Sequence, residues 1–178
     1  MSAFKRIGHF KQVTQFKAHL EESGLQLPID DQILSASDGS PLADSLAIDD
    51  PNTDRRFTVG NRWCIHPMEG WDGTGDGNPS AHTFRRWRRF GLSGAKLIWG
   101  GEAMAVQHDG RANPNQLYYR ADNQPQFAML LKVLCDAHAE RFGSGACDDL
   151  LVGLQLTHSG RYAKPRGKSR AEPRIVYH

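Results

Sequence analysis

The stretch Asn61–Gly73, NRWCIHPMEGWDG, gathers side chains able to do chemistry. An apolar run climbs to Pro67 and Met68, then meets a carboxylate (Glu69), two glycines and an aromatic (Trp71), with His66 just ahead. Taken alone, a strand that ends on a rigid, then a bulky, then a flexible set of residues reads as a strand entering a turn, and it raises the question of what its tip would hold. Spacing excludes several other chemistries. The eight histidines show no HxxxH pattern and no paired cysteine spacing, which argues against a metal site. Cys64, Cys135 and Cys147 are odd in number and irregularly spaced, which argues against a disulfide framework. The GTGDG at Gly73–Gly77 does not meet the Gly-x-Gly-x-x-Gly order of a dinucleotide fingerprint. No spacing singles out a nucleophile, an acid or a base. His158, at the end of a later apolar run, could face a pocket.

The elements around these residues follow from their periodicity. Gly8–Ser23 predicts an amphipathic helix with Phe10, Val13, Phe16 and Leu20 on one side and Gly24 as its stop. The SDGS at Ser37–Ser40 suits a hairpin turn, and DDPNTD at Asp49–Asp54 is a loop by composition. Residues 1–56 therefore read as a helix-and-hairpin extension. From 57 to 178 the pattern becomes regular. RWCIHPM is a strand, GWDGTGDGNPS a glycine-rich loop, and AHTFRRWRRFGLSG a helix capped by Ser80. AKLIWGGEA is a second strand, followed by a long loop holding HDGRANP. QPQFAMLLKVLCDAHAERFG is a helix with Phe127, Leu130, Leu131, Leu134, His138 and Phe142 at near-3.6 spacing, ended by Gly143. LLVGLQLTH is a third strand, and RIVYH begins a fourth. Alternating strands and helices predict a parallel sheet, and strands apolar throughout predict burial on both faces. Ligands of such sheets bind at the C-terminal strand ends.

Four segments in order, NRWCIHPMEG, FRRWRRFGLSGAKLIWGGEAMAV, HDGRANPNQL and LQLTHSGR, resemble the Old Yellow Enzyme, or NADH:flavin oxidoreductase, family. The resemblance runs from about Phe57 to Arg161 and includes a subgroup whose first strand ends in Pro-Met-Glu-Gly. It implies an α/β fold, a partial (β/α)8 TIM barrel of the first three to four βα units, carrying an N-terminal helical extension. It implies FMN as cofactor, NADH or NADPH as reductant and a small-molecule electron acceptor. Carried over to this chain, His66, Pro67, Met68 and Glu69 line the flavin. Proline fixes the backbone there and donates no hydrogen bond, and methionine offers a pliable apolar surface to a ring. Ala103 matches a position whose backbone reaches the flavin, where a small residue is needed. Gln155 matches a glutamine whose amide donates and accepts at the pyrimidine edge. Trp71 falls where an aromatic contacts substrate. Glu69 departs from the usual Thr or Cys. Its carboxylate opposes the charge of a reduced flavin, so it either carries a raised pKa and donates a proton or turns away from the ring.

A whole barrel needs eight strands and typically ~250 residues, about twice the length from Phe57 to His178. The resemblance places the phosphate site, the pair gripping the substrate carbonyl and the proton donor on later strands. The sequence therefore reads as an N-terminal portion, with activity depending on the rest and no catalytic residue to name. An open half-barrel leaves edge strands and an apolar face that invite self-association or a complementary chain. The rival reading is a non-catalytic remnant or interaction module. A nucleic-acid binder resting on RRWRR and the basic tail is disfavoured: the arginines read as a solvated face, the tail as a loop, and the net charge of +2 makes no case for nucleic acid or an anionic membrane. The polar N-terminus, the lack of a membrane-length segment and the unpaired cysteines point to a soluble cytoplasmic protein.

Overall fold

A computed structural model describes residues 5–174 of the chain; except for Arg174, the RIVYH segment lies outside them. The chain forms two compact units, Met1–Ser40 and Pro41–His178.

In the first unit, helix α1 spans Val13–Glu22, behind a 3-10 turn at Ile7–His9. It starts later than its apolar spacing suggests, because Phe10 lies ahead of the helix and packs its ring on Phe16, 5.4 Å between centroids. Gly24 closes the helix at φ +66°, a left-handed value suited to glycine. The SDGS segment does not turn a hairpin. It makes a 3-10 turn at Ala36–Asp38, ended by Gly39 at φ +79°.

The hairpin belongs to the second unit. Strands β1 (Leu46–Asp49) and β2 (Arg56–Val59) pair antiparallel. Their loop is DDPNTD, closed by Asp50, whose carboxylate accepts from the Asn52 N–H and the Thr53 hydroxyl. The chain then alternates: β3 (Cys64–Ile65), α2 (Ala81–Leu92), β4 (Leu97–Ala105), α3 (Gln124–Phe142) and β5 (Leu151–Thr157). The three strands form a parallel sheet in the order β3-β4-β5. Each strand lies beside its predecessor with no reversal of order. The described residues thus hold two complete βα units and a third strand. They form an open sheet, with no closed barrel among them.

Ser80 caps α2 as its residue type requires. Its hydroxyl accepts from the backbone of His82 and Thr83, and Thr83 Oγ1 accepts from Ser80 N–H. Trp87 of α2 and Leu130 and Leu134 of α3 meet Ile98, Met104, Leu117 and Leu150 in the core. The two helices touch closely at Gly91, where an added Cβ would strike the Leu134 carbonyl oxygen. His138, fully buried on α3, donates from Nδ1 to Gly91 O at 2.8 Å.

Four further expectations fail. The first strand pairs only over Cys64–Ile65, because Pro67 has no N–H and β4 is irregular opposite it. The third strand is not buried on both faces: β5 is an edge of the described sheet, and Leu154 and Leu156 are 37% and 63% exposed. Leu131 and Phe142, on the flanks of the α3 stripe, also stay exposed. Finally, Arg86 does not lie on a solvated face of α2; it turns inward to two carboxylates.

Gly91→Ala should lower stability by about 1–3 kcal/mol, since crowding against a backbone carbonyl outweighs the better helix propensity of alanine. Ser80→Ala should cost about 1 kcal/mol through loss of the cap. Urea denaturation followed by circular dichroism measures both.

Candidate functional site

The C-terminal ends of β3, β4 and β5 meet. Trp99 pairs with Gly153 and Ala103 with Gln155, so β4 takes four steps where β5 takes two. The extra residues bulge at Gly100, which sits at φ +63°. A Cβ there would lie 2.7 Å from Pro67 Cβ and 3.1 Å from Gln155 Cβ, so only glycine lets the three segments close up. Beyond the bulge, Ala103 N–H donates to Met68 O at 3.1 Å, which returns the chain after β3 to the sheet. Pro67, Met68, Ala103 and Gln155 are therefore neighbours along three adjacent strand ends.

Their surfaces differ. Ala103 is buried and Pro67 half-buried, while Met68 is 71% exposed and Gln155 is exposed. His66 and Glu69 are exposed beside Met68. Trp71 is 52% exposed, with the Lys168 ammonium 4.9 Å from its ring centre. His158 is engaged elsewhere. Its Nδ1 accepts from Gly160 N–H at 3.0 Å, its Nε2 lies 3.3 Å from the Gln107 amide, and its ring fills the space beside Gly110.

A buried polar assembly holds these tips, and none of its members was named as a site residue from the sequence. Glu102, immediately before Ala103, has a fully buried side chain. Its Oε2 accepts from Arg86 Nη2 at 2.6 Å and its Oε1 from Gly70 N–H at 2.9 Å. Arg86 also grips Asp72 with two 2.8 Å hydrogen bonds and donates to Gly101 O at 3.0 Å. The Gly70 carbonyl accepts from buried Asn113 at 3.1 Å. Gln116, also buried, donates to Ala103 O at 2.8 Å and lies 3.3 Å from Thr157 Oγ1, tying β4 to β5. Arg111 donates to the carbonyls of Gly75, Pro114 and Pro165. The visible signal for Glu102 is one carboxylate inside the apolar run LIWGGEAMA. Asn113 and Gln116 lie in HDGRANPNQL, where a polar loop reads as solvated.

Electrostatics follow from burial and pairing. Burial is the largest influence on Glu102 and pushes its carboxyl above the ordinary value, against the pull of Arg86. Burial opposes charge on Arg86 too. Its hydrogen bonds to Asp72 and the field of Glu102 outweigh that and raise the guanidinium above its usual value. Asp72 is desolvated as well, but its bonds to Arg86 hold it below the ordinary aspartate range.

The ring system implied by the resemblance needs an apolar floor, a small residue at close approach and an amide that both donates and accepts. Met68 with Pro67, Ala103, and Gln155 meet those needs in chemical type and adjacency. Among the described residues no group of three His, Cys, Asp or Glu side chains is placed to hold a metal ion, and no helix is long and apolar enough to cross a membrane.

No family model matches this chain, and no curated protein does. Among solved structures it is similar to the old yellow enzyme from Trypanosoma cruzi, with 24% identity and a TM-score of 0.49. That likeness covers 69% of this chain, which spans 28% of the length of that one.

Arg86→Met should destabilise the chain by on the order of 3 kcal/mol, because it strands a buried carboxylate without its cation. Arg86→Lys should recover part of this, keeping the charge but not the two-pronged grip on Asp72. Denaturant midpoints of the two variants against wild type provide the check.

Proposed function

We propose that the tips of β3, β4 and β5 form the ring-binding floor of an FMN-dependent NAD(P)H oxidoreductase. The supporting observation is the adjacency of Met68, Ala103 and Gln155, through the Ala103–Met68 hydrogen bond and the Ala103–Gln155 register. Bound flavin supplies hydride-transfer chemistry, drawing on NADH or NADPH and reducing an electron-poor small-molecule acceptor. Pro67 and Met68 offer the apolar floor, and Ala103 keeps the surface low enough for close approach. The Gln155 amide orients the bound heterocycle by donating and accepting. His66 and Glu69 border the floor, and Trp71 offers an aromatic surface to substrate. In this reading the chain's residues bind and orient, and the acid that completes reduction comes from elsewhere in the functional protein.

A second reading, an interaction module completed by another chain or a second copy, is favoured by β5, which has no further strand beside it among the described residues and exposes Leu154 and Leu156. Leu156→Lys should abolish any concentration-dependent association seen by sedimentation velocity if that edge is the contact.

For the flavin reading, FMN fluorescence should be quenched on titration with the chain. Gln155→Leu should raise the FMN dissociation constant roughly 5- to 10-fold, the loss of about one hydrogen bond. A colourless chain that leaves FMN fluorescence unchanged at millimolar ligand sinks this reading.

A further inference from the structure

We propose that Glu102 and Asn113 are positioning residues: together they grip both backbone polar groups of Gly70 and so set Met68 and Glu69 against Ala103. The inference rests on the flavin reading for its purpose, and on the geometry around Gly70 for its substance.

Glu102 divides its two oxygens between different tasks. Oε2 meets Arg86, which α2 supplies, and Oε1 takes the Gly70 N–H, which belongs to no helix or strand ladder. Asn113 takes the Gly70 carbonyl with Nδ2, while its own Oδ1 accepts from Asn115 N–H at 2.9 Å. A buried acceptor and a buried donor, from two other segments, thus satisfy both backbone groups of one residue at the end of a strand tip. A simple structural ion pair would need only Arg86 and an acid. It would not need the second oxygen aimed at a loop amide.

The glycine is part of the device. A Cβ on Gly70 would lie 2.6 Å from Glu102 Oε1, 2.9 Å from Arg86 Nη2 and 3.0 Å from Asp72 Oδ1. The three charged groups close around the bare backbone, which leaves the tip little room to shift. Two residues before Gly70, Met68 O receives Ala103 N–H, and Ala103 directly follows Glu102 in the chain. Glu102 therefore holds the tip through its side chain while its neighbour holds it through the backbone. A tip gripped twice over three residues presents Met68 in a set position, the preorganisation that tight binding of a rigid ring requires.

The test uses the full chain with Glu102→Ala, Glu102→Gln and Asn113→Ala, and two readouts. Amide hydrogen exchange by NMR follows Ala103 N–H, which reports the tip, and Leu134 N–H in the core of α3, which reports global opening. Fluorescence titration follows FMN. Glu102→Ala should speed exchange at Ala103 at least tenfold more than at Leu134, whose own change reports the loss of global stability from breaking the buried pair, and should raise the FMN dissociation constant at least tenfold. Glu102→Gln keeps an acceptor for Gly70 and should recover most of both. Asn113→Ala should shift both in the same direction as Glu102→Ala, and it carries the comparison if Glu102→Ala does not fold. Equal acceleration at Ala103 and Leu134 in every folded variant overturns the inference, since the residues then serve stability alone. A loosened tip with unchanged FMN affinity overturns it while leaving the flavin reading intact. If the wild-type chain binds no FMN, the flavin reading fails and the positioning role with it.

Discussion

The carboxylate of Glu102 sits where no water reaches it, between a guanidinium and a loop amide. Removing a carboxylate from water costs several kcal/mol even after relaxation, and only close, well-aimed partners offset it. Each partner comes from a different element. Arg86 projects from α2, and the start of α2 is set by Ser80 and Thr83, whose hydroxyls both donate to Asp72 O. The Asp72 carboxylate in turn binds Arg86. The cap of the helix, the glycine-rich loop and the strand tip therefore stand or fall as one unit. Loss of Arg86 or of Glu102 leaves the other charge buried without that partner.

The bulge in β4 makes that meeting possible. In an unbroken ladder, β4 would keep pairing on both sides and its side chains would alternate between faces. Here Gly100 turns left-handed and the register with β5 slips between Trp99 and Ala103. Gly101 lies against Trp87 in the core, Glu102 turns to Arg86, and Ala103 resumes pairing. Proline at 67 suits the break on the other side, because a residue without an N–H loses nothing where the ladder is interrupted. The same irregularity brings Pro67 and Gln155 to either side of Gly100, which lowers the surface between the tips.

The loop after β4 closes the arrangement from above. Arg111 is almost fully buried, with three carbonyls around its guanidinium and the Tyr118 ring 4.9 Å away. Burial pulls its pKa below the usual arginine value, though Tyr118 and Asp76 oppose this. An arginine remains charged under such conditions, so the carbonyls of Gly75, Pro114 and Pro165 are drawn toward one fixed cation. Asn113 and Gln116, close by in the chain, then reach Gly70 and Ala103. The loop is thus tied from within by buried hydrogen bonds, although its composition is that of a solvated turn.

Much of the second unit was legible in the residues themselves. Period and capping marked α2 and α3, because Trp87, Leu130 and Leu134 must face a core and Ser80 must satisfy free helix amides. Three apolar runs marked the strands, and their order marked which ends would meet. The positions named for the candidate site came from the family resemblance and not from these patterns; of them, Pro67, Met68, Ala103 and Gln155 lie together along the three strand ends. What stayed hidden depends on partners distant in sequence. Arg86 looks like Arg85, Arg88 and Arg89 until Glu102 and Asp72 arrive beside it. Glu102 looks like an anomaly until the Gly70 N–H donates to it. The length of β3, the slip at Gly100 and the exposed face of β5 likewise follow from what lies alongside each strand. Local pattern is set by the chain's own periodicity and backbone chemistry, which any window of residues carries. Pairing of buried charges and register between strands are set by distances across the fold, and those exist only once the chain has closed.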